Sequence, residues 1–355
     1  MNPYLDRLRA KMAEEGVPAL FVSNITNVQW LTGFTGSSGF AIVTADDAVF
    51  ITDSRYTIQA GEQVKGMKIE WFQRPTKFED FVTQHMKSLG VTRCGFETSV
   101  TYSTWKNWIE KIDVDWYDAP DCIKPLRMIK SDEEVALIKE ACAITDACLE
   151  HLQGLCQIGR SEYDIQLDLE FFLRRQGADI AFHPIVVSGA NSARPHGFAT
   201  EKLLKSGDFL TFDLGAKKNG YCSDITRTFV VGEVSDRHRE IYNLLLKSQV
   251  AAVEALIPGT PASEPDRISR EILDELDLSQ YFGHGLGHGL GRDVHDFGGL
   301  GPNSTDTIEV GQVWTVEPGV YIEGFGGARI EDDVLVTADG PEILTHFPKE
   351  LIVVG

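Results

Sequence analysis

The run Phe282-Gly-His-Gly-Leu-Gly-His-Gly-Leu-Gly-Arg-Asp-Val-His-Asp-Phe-Gly-Gly299 holds three of the chain's nine histidines, His284, His288 and His295, among glycines. Glycine lets a backbone pass close to a bound group and adopt conformations other residues avoid. Histidine brings a neutral imidazole for a metal, or a proton carrier that works near neutral pH. Together they predict a strand or loop pressed against reactive chemistry. The alternative, a Gly-rich turn with incidental histidines, loses ground because of what flanks the run.

Upstream, Phe209-Leu-Thr-Phe-Asp-Leu-Gly215 and Tyr221-Cys-Ser-Asp-Ile-Thr-Arg-Thr-Phe229 read as strands joined through Lys217-Lys-Asn-Gly220. Asn-Gly between alternating runs is a strong hairpin signal. Such a hairpin brings Asp213 and Asp224 near one another. Aspartate is disfavoured in apolar strands, and a buried charge is costly unless paired or metal-bound. Two solvent-facing carboxylates are the bland alternative. Side by side they repel, so a cation is expected between them.

Downstream, Glu317 ends Val313-Trp-Thr-Val-Glu317 before a Pro-Gly turn, and Glu331 interrupts Ala328-Arg-Ile-Glu-Asp-Asp-Val-Leu-Val336. With Asp213, Asp224 and His288 the set holds four carboxylates and one imidazole. Two divalent cations would balance it. Oxygen-rich ligation without thiolate suits Mn or similar ions, with Co or Zn as alternatives. Two ions about 3.5–4 Å apart can activate one water and polarise one carbonyl.

Bulk properties narrow the field. A chain of 355 residues, 43% hydrophobic and 24% charged, has ample core and predicts two domains. Its net charge of −20 argues against nucleic acid or an anionic membrane as partner. The first residues lack the apolar region of a signal peptide, and no apolar run reaches ~18 residues. Six cysteines without a CxxC pair read as reduced, mostly buried thiols of a cytoplasmic protein.

Residues 1–124 alternate helix and strand signals and predict a small α/β domain. Helices are expected near 3–15, 56–63, 78–89 and 102–111, with strands near 19–23, 40–44, 48–52, 68–72, 94–97 and 113–117. Leu31-Thr-Gly-Phe-Thr-Gly-Ser-Ser-Gly39 lacks the order of a phosphate loop. After a boundary near 119–131, residues 125–355 read as α+β. Ser131-Asp-Glu-Glu134 is a capping box for a helix to about 157, and Ser161 opens another. Further helices are expected near 236–256 and 262–276. Strands are expected near 185–188, 208–214, 222–231, 312–322 and 329–336.

The ordered set Asp213, Asp224, His288, Glu317 and Glu331 resembles the metal-ligand pattern of the pita-bread metallopeptidases, which include methionine aminopeptidase, aminopeptidase P and prolidase. Val316-Glu-Pro-Gly-Val-Tyr-Ile322, Gly327-Ala-Arg-Ile-Glu-Asp-Asp333 and Pro348-Lys-Glu-Leu-Ile352 are similar to the catalytic end of the proline-specific branch. Asn191-Ser-Ala-Arg-Pro-His196 resembles that branch's histidine loop. Thr35-Gly-Ser-Ser-Gly39 and Thr52-Asp-Ser-Arg-Tyr56 resemble its extra N-terminal, creatinase-type domain.

The resemblance implies a pita-bread catalytic domain, an antiparallel sheet covered by helices, and two divalent metal ions. Asp213 would chelate one ion, His288 and Glu317 the other, and Asp224 and Glu331 would bridge both. His196 and His295 would shuttle protons, Arg329 would hold in place a carboxylate behind the ligands, and His284 would contact the proline side of the substrate. The implied reaction is hydrolysis of the Xaa-Pro bond by a metal-activated hydroxide, at peptide N-termini or, alternatively, in dipeptides alone. Proline-containing peptides would be the substrates and a homodimer the assembly, with the N-terminal domain closing one end of the cleft. Thr52-Asp-Ser-Arg-Tyr56 leans the expectation toward the aminopeptidase. A dipeptidase must recognise the free carboxylate of proline, a role open to Arg55, although Arg55 could instead pair with Asp53. Where the branch often has His-Glu-x-Pro, this chain has His295-Asp-Phe-Gly298. Remaining alternatives are a metal-free creatinase-type hydrolase or inactive binding module, a dinuclear phosphoesterase, and Cys222 as a nucleophile.

Overall fold

The apolar runs expected between residues 19 and 118 assemble into one six-stranded sheet in a computed structural model that describes residues 2–355. The sheet order is Lys68–Phe72, Ala48–Asp53, Phe40–Thr44, Ala19–Val22, Arg93–Phe96, Asp115–Asp118. Phe40–Thr44 pairs antiparallel with both of its neighbours, and the other three pairs are parallel. Both faces are covered. Phe50 joins a core with Leu8, Trp30 and Phe34, while its neighbours Val49 and Ile51 join another with Phe21, Val82 and Trp108. Burial on both faces is why these strands read as continuous apolar runs instead of alternating ones.

One helix of this sheet region is missing from the sequence reading. Ile25–Thr32 is capped by the Asn24 side chain, which accepts from the Thr26 and Asn27 N–H groups, and ends at Gly33 with φ 72°. The Gly-rich run at 33–39 therefore follows a helix and leads into a strand. A phosphate loop requires the opposite order, a strand leading into a helix N-terminus.

The chain divides into two compact units, Met1–Leu126 and Arg127–Gly355. In the second unit, Ser131 and Glu134 form both halves of the capping box that starts the helix Asp132–Gln153. Glu162–Arg175 and Asp236–Glu254 follow as expected. The helix expected to reach 276 stops at Leu273 and tightens into a 3-10 turn over Asp274–Leu276, after which Asp277 adopts φ 55°.

Strands Ile185–Ser188, Phe209–Leu214 and Ile225–Val231 pair antiparallel, and Val353–Val354 adds in parallel. Val313–Val316, Asp332–Thr337 and Gly340–Ile343 form a second antiparallel group. Gly319–Ile322 pairs with Gly326–Arg329. Alternate residues of one strand feed different cores. Phe229 packs with Phe212, Leu149 and Leu169, and Val230 packs with Leu245, Trp314 and Val334.

Three segments expected as single strands are each broken in two. The breaks fall at Ser223-Asp224, Glu317-Pro318 and Ile330-Glu331. All six cysteines are free and buried. Burial pushes the Cys222 thiol up to about 12, which removes it as a nucleophile. No helix among the described residues is long and apolar enough to cross a membrane.

Candidate metal centre

The hairpin that starts the site turns at Asn219 and Gly220, with φ of 50° and 84°, the positive pair that a tight two-residue hairpin loop demands. The ladder places Asp213 opposite Thr226. Asp224 precedes Thr226 by two residues and so shares its face, one step past the end of the strand. There its N–H donates to Asp333 Oδ2 at 2.9 Å. Thr226 then recruits Glu331 twice. Its carbonyl accepts the Glu331 N–H at 3.1 Å, and its hydroxyl donates to Glu331 Oε2 at 2.6 Å.

The opposite wall comes from the Gly-His run. Gly287–His288 pairs with Gly299–Leu300, and the His288 N–H donates to Thr315 Oγ1 at 3.0 Å. A Cβ at Gly287 would collide with the Thr315 carbonyl, and one at Gly289 with that of Phe297. These glycines are therefore steric requirements of the close approach. Glu317 is held by its N–H donating to Leu286 O at 2.8 Å and by Thr315 Oγ1 donating to its Oε1 at 3.2 Å.

His288 Nδ1–H donates to Gly289 O at 3.1 Å, which leaves the Nε2 lone pair aimed into the site. Nε2 lies 3.6 Å from Asp224 Oδ2 and 3.5 Å from Glu317 Oε1. Burial pushes His288 down to about 4, so near neutral pH the ring carries no charge to satisfy those oxygens. One ligand atom each from Asp224, His288 and Glu331 lie within 4.8 Å of one another.

Of the four carboxylates, only Asp213 pairs with an arginine or lysine among the described residues, through Arg329. Burial, reinforced by Glu331 and Asp213, raises Asp224 well above the usual carboxylate range. Glu331 is raised likewise by burial and by Glu317 and Asp213. Burial also pushes Glu317 up to about 7 against the pull of Arg329. Asp213 Oδ1 and Asp224 Oδ1 are buried with no hydrogen-bond partner among the described residues. A buried neutral imidazole facing acids with orphaned oxygens fits a bound metal, as does the carbonyl that fixes its tautomer.

Arg329 is the one arginine or lysine that lines this cavity among the described residues. Its Nη2 donates to Asp213 Oδ2, its Nε to Thr226 Oγ1 at 2.9 Å and its Nη1 to Tyr321 Oη at 2.7 Å. Tyr321 was not singled out in the sequence. Its hydroxyl faces His284 Nε2 at 2.9 Å, while His284 Nδ1–H donates to Gly285 O at 2.8 Å. That carbonyl contact leaves Nε2 as the acceptor of the Tyr321 proton. Burial, with help from Arg329, pushes His284 down to about 4 and keeps it neutral. The folded ladder brings Tyr321 to this side, since its partner Gly327 lies two residues from Arg329.

His196 and His295 line the same cavity, whose volume is about 510 Å³. The His295 ring stands edge-on to His288 with centroids 4.4 Å apart. The aspartate that replaces the branch's glutamate is tied down. Asp296 Oδ1 accepts from Arg127 Nη2 at 2.9 Å, and the Asp296 N–H donates to Gly289 O at 2.9 Å. Phe182, His183 and Phe198 add an aromatic wall that the sequence reading did not mark. Arg55 belongs to the first unit. It is exposed, and its Nε and Nη2 each donate to Asp53 at 2.8 Å.

Residues 136–338 match metallopeptidase family M24, and residues 5–129 match the creatinase/prolidase N-terminal domain. The chain belongs to family M24 and is an enzyme of the metallopeptidase class, which works with divalent metal ions. An Xaa-Pro dipeptidase of Pyrococcus furiosus is 36% identical over 99% of this chain and 100% of its own. The solved Xaa-Pro dipeptidase from Bacillus anthracis superposes with a TM-score of 0.95 at 41% identity, covering 99% of both chains. The X-Pro aminopeptidase from Thermotoga maritima superposes at 0.90 with 32% identity, covering 97% of this chain and 100% of that one.

Proposed function

We propose that this chain is an Xaa-Pro dipeptidase that uses two divalent ions. The observation that carries the dipeptidase reading is end-to-end similarity to proteins named for that activity, at 41% and 36% identity. It outweighs the lean toward an aminopeptidase drawn from Thr52-Asp-Ser-Arg-Tyr56.

Asp213 would hold one ion, His288 and Glu317 the other, with Asp224 and Glu331 shared. Mn is the ion the oxygen-rich donor set favours, with Co or Zn as alternatives. Bound there, the ions would supply a nucleophilic water at neutral pH and polarise the scissile carbonyl. The Xaa-Pro bond is a tertiary amide without an N–H, so a site cannot grip it through that donor. His196 and His295 would carry protons at the scissile amide. Neutral His284, its Nε2 held by Tyr321, would pack against the proline side. Arg329 would keep Asp213 ionised and oriented. The N-terminal domain, residues 1–124, would serve a homodimer.

The aminopeptidase is the second reading, favoured by the likeness to the Thermotoga maritima enzyme. The deciding measurement is kcat/KM for Xaa-Pro against Xaa-Pro-Yaa-Zaa on one metal-loaded preparation. A preference of tenfold or more for the dipeptide is expected. Equal or faster cleavage of the longer peptide would make the chain an aminopeptidase. In the same assay Arg55→Ala tests the carboxylate clamp. Its bidentate pairing with Asp53 predicts a change of less than about threefold, and loss of dipeptide cleavage alone would assign Arg55 to the substrate.

A further inference from the structure

His196 stands exposed in the cavity, and its ring makes no hydrogen bond among the described residues. Its position therefore comes from the backbone that carries it. That backbone leaves the strand Ile185–Ser188, makes the 3-10 turn Gly189–Ala193 and continues through Pro195 and His196 to Thr200. Two turn bonds stiffen it locally, Arg194 N–H to Asn191 O at 3.1 Å and Gly197 N–H to Arg194 O at 3.0 Å.

Both ends of this loop converge on one carboxylate. Glu162 Oε1 accepts from the Ser188 N–H at 2.7 Å and the Ser188 hydroxyl at 2.8 Å. Its Oε2 accepts from the Thr200 N–H at 3.0 Å and the Thr200 hydroxyl at 2.7 Å. Asn191 Nδ2 bridges both oxygens, at 3.3 and 3.2 Å. Lys202 Nζ backs the arrangement by donating to Ser188 Oγ at 2.7 Å and to Asp208 Oδ2.

Glu162 is fully buried, yet all these partners are donors from the histidine loop. A buried carboxylate is costly unless its lone pairs are met, and charge-assisted bonds are the strong ones. Glu162 is also the first residue of the helix Glu162–Arg175, whose N-terminal dipole favours an anion. The carboxylate is thus a peg on a rigid element. Nothing in the cavity requires it, because it does not line the wall.

We propose that Glu162 is the positioning residue for His196. It closes the base of the Ser188–Thr200 loop so that the imidazole is held at the scissile amide. This rests on the reading that His196 acts on an Xaa-Pro substrate. Glutamine at 162 would replace one acceptor oxygen with an NH2 group. That group must face donors at Ser188 or Thr200, so one end of the loop is released while the volume is kept.

The experiment compares Glu162→Gln, Glu162→Asp, His196→Ala and the Glu162→Gln/His196→Ala double variant as full-length, metal-loaded chains. Glu162→Gln should keep its bound metal, lose ~10-fold to ~100-fold in kcat on an Xaa-Pro dipeptide, and change KM by less than about threefold. Amide exchange should quicken across residues 189–200 and stay unchanged across 209–231. Glu162→Asp, which keeps the charge, should recover part of the rate. The double variant should be no slower than His196→Ala alone, because both changes remove one function. Losses that multiply in the double variant, or unchanged exchange at 189–200, would overturn the proposal. If Glu162→Gln does not fold, Thr200→Val removes one tie and carries the same expectations. A wild-type chain that cleaves no Xaa-Pro peptide overturns the functional reading instead, and the exchange measurement still decides whether Glu162 holds the loop.

Discussion

His288 Nε2 stands 3.5 Å from Glu317 Oε1, with the ring's other nitrogen committed to a backbone carbonyl. Burial leaves the ring neutral near pH 7, so two lone pairs face one another across that gap. Such a contact is repulsive until a proton or a metal ion enters it, and one ligand atom each from Asp224 and Glu331 lies within 4.8 Å of the same histidine's. Asp224→Asn and Glu331→Gln should each remove both ions and all but a few percent of the activity. Metal analysis of the purified variants checks this. Two ions per chain together with retained activity would remove these residues from the shared position.

Metal-free protein should show an inverted pH response. The folded state raises Glu317 from 4.5 to about 7 and shifts Asp224 and Glu331 upward as well. An acid with a raised folded pKa binds protons more tightly folded than unfolded, so its stabilising contribution is complete below pH 4.5 and fades as pH rises through 7. The melting temperature of EDTA-treated protein should therefore fall between pH 5 and 8. Adding Mn should abolish the fall, since the ion takes the place of the protons. A melting temperature that rises over that range without metal would contradict the assignment.

His196 is set apart from the acids, on a loop, with no hydrogen bond to them. His196→Ala should leave metal content unchanged while kcat falls ~100-fold to ~10,000-fold, the range of a lost acid–base group. Loss of metal alongside activity would move His196 into the ligand set.

Behind Glu331 lies a fully buried ion pair. Arg227 Nη2 donates to Asp332 Oδ1 at 2.7 Å, and the same guanidinium donates to the Glu331 and Phe347 carbonyls. Asp332 also accepts from Gln249, Thr345 and Lys349. Removing Arg227 leaves buried Asp332 with Lys349 as its one ion-pair partner and takes a donor from the Glu331 and Phe347 carbonyls, so Arg227→Met should destabilise by about 3–5 kcal/mol in a urea melt. A change below about 1 kcal/mol would mean that the remaining donors suffice for Asp332.

The acids were legible because each is out of place where it stands. Asp213 sits within an apolar strand, Glu317 precedes a proline, and Asp224 and Glu331 interrupt β-branched runs. Charged groups in such positions carry a cost that only a partner or an ion removes, and that cost is visible one residue at a time. The hairpin turn and the capping box are equally local. What the chain order concealed is that three of those acids end one strand and precede another, so the ladder yields to the site.

Tyr321, Glu162, Arg127 and the aromatic wall left no comparable trace. A tyrosine on a strand, a glutamate at a helix start and an arginine near a boundary are ordinary in those local settings. Each takes its role from a contact far along the chain. Glu162 meets Thr200 across 38 residues, and Arg127 meets Asp296 across 169. Arg55 is a local case. Its guanidinium pairs with Asp53, two residues away, one of the two roles its motif left open. Patterns along the chain report what a residue cannot tolerate, which is enough to pick out candidate ligands and caps. Which donor finally meets which acceptor depends on how the strands and loops come together.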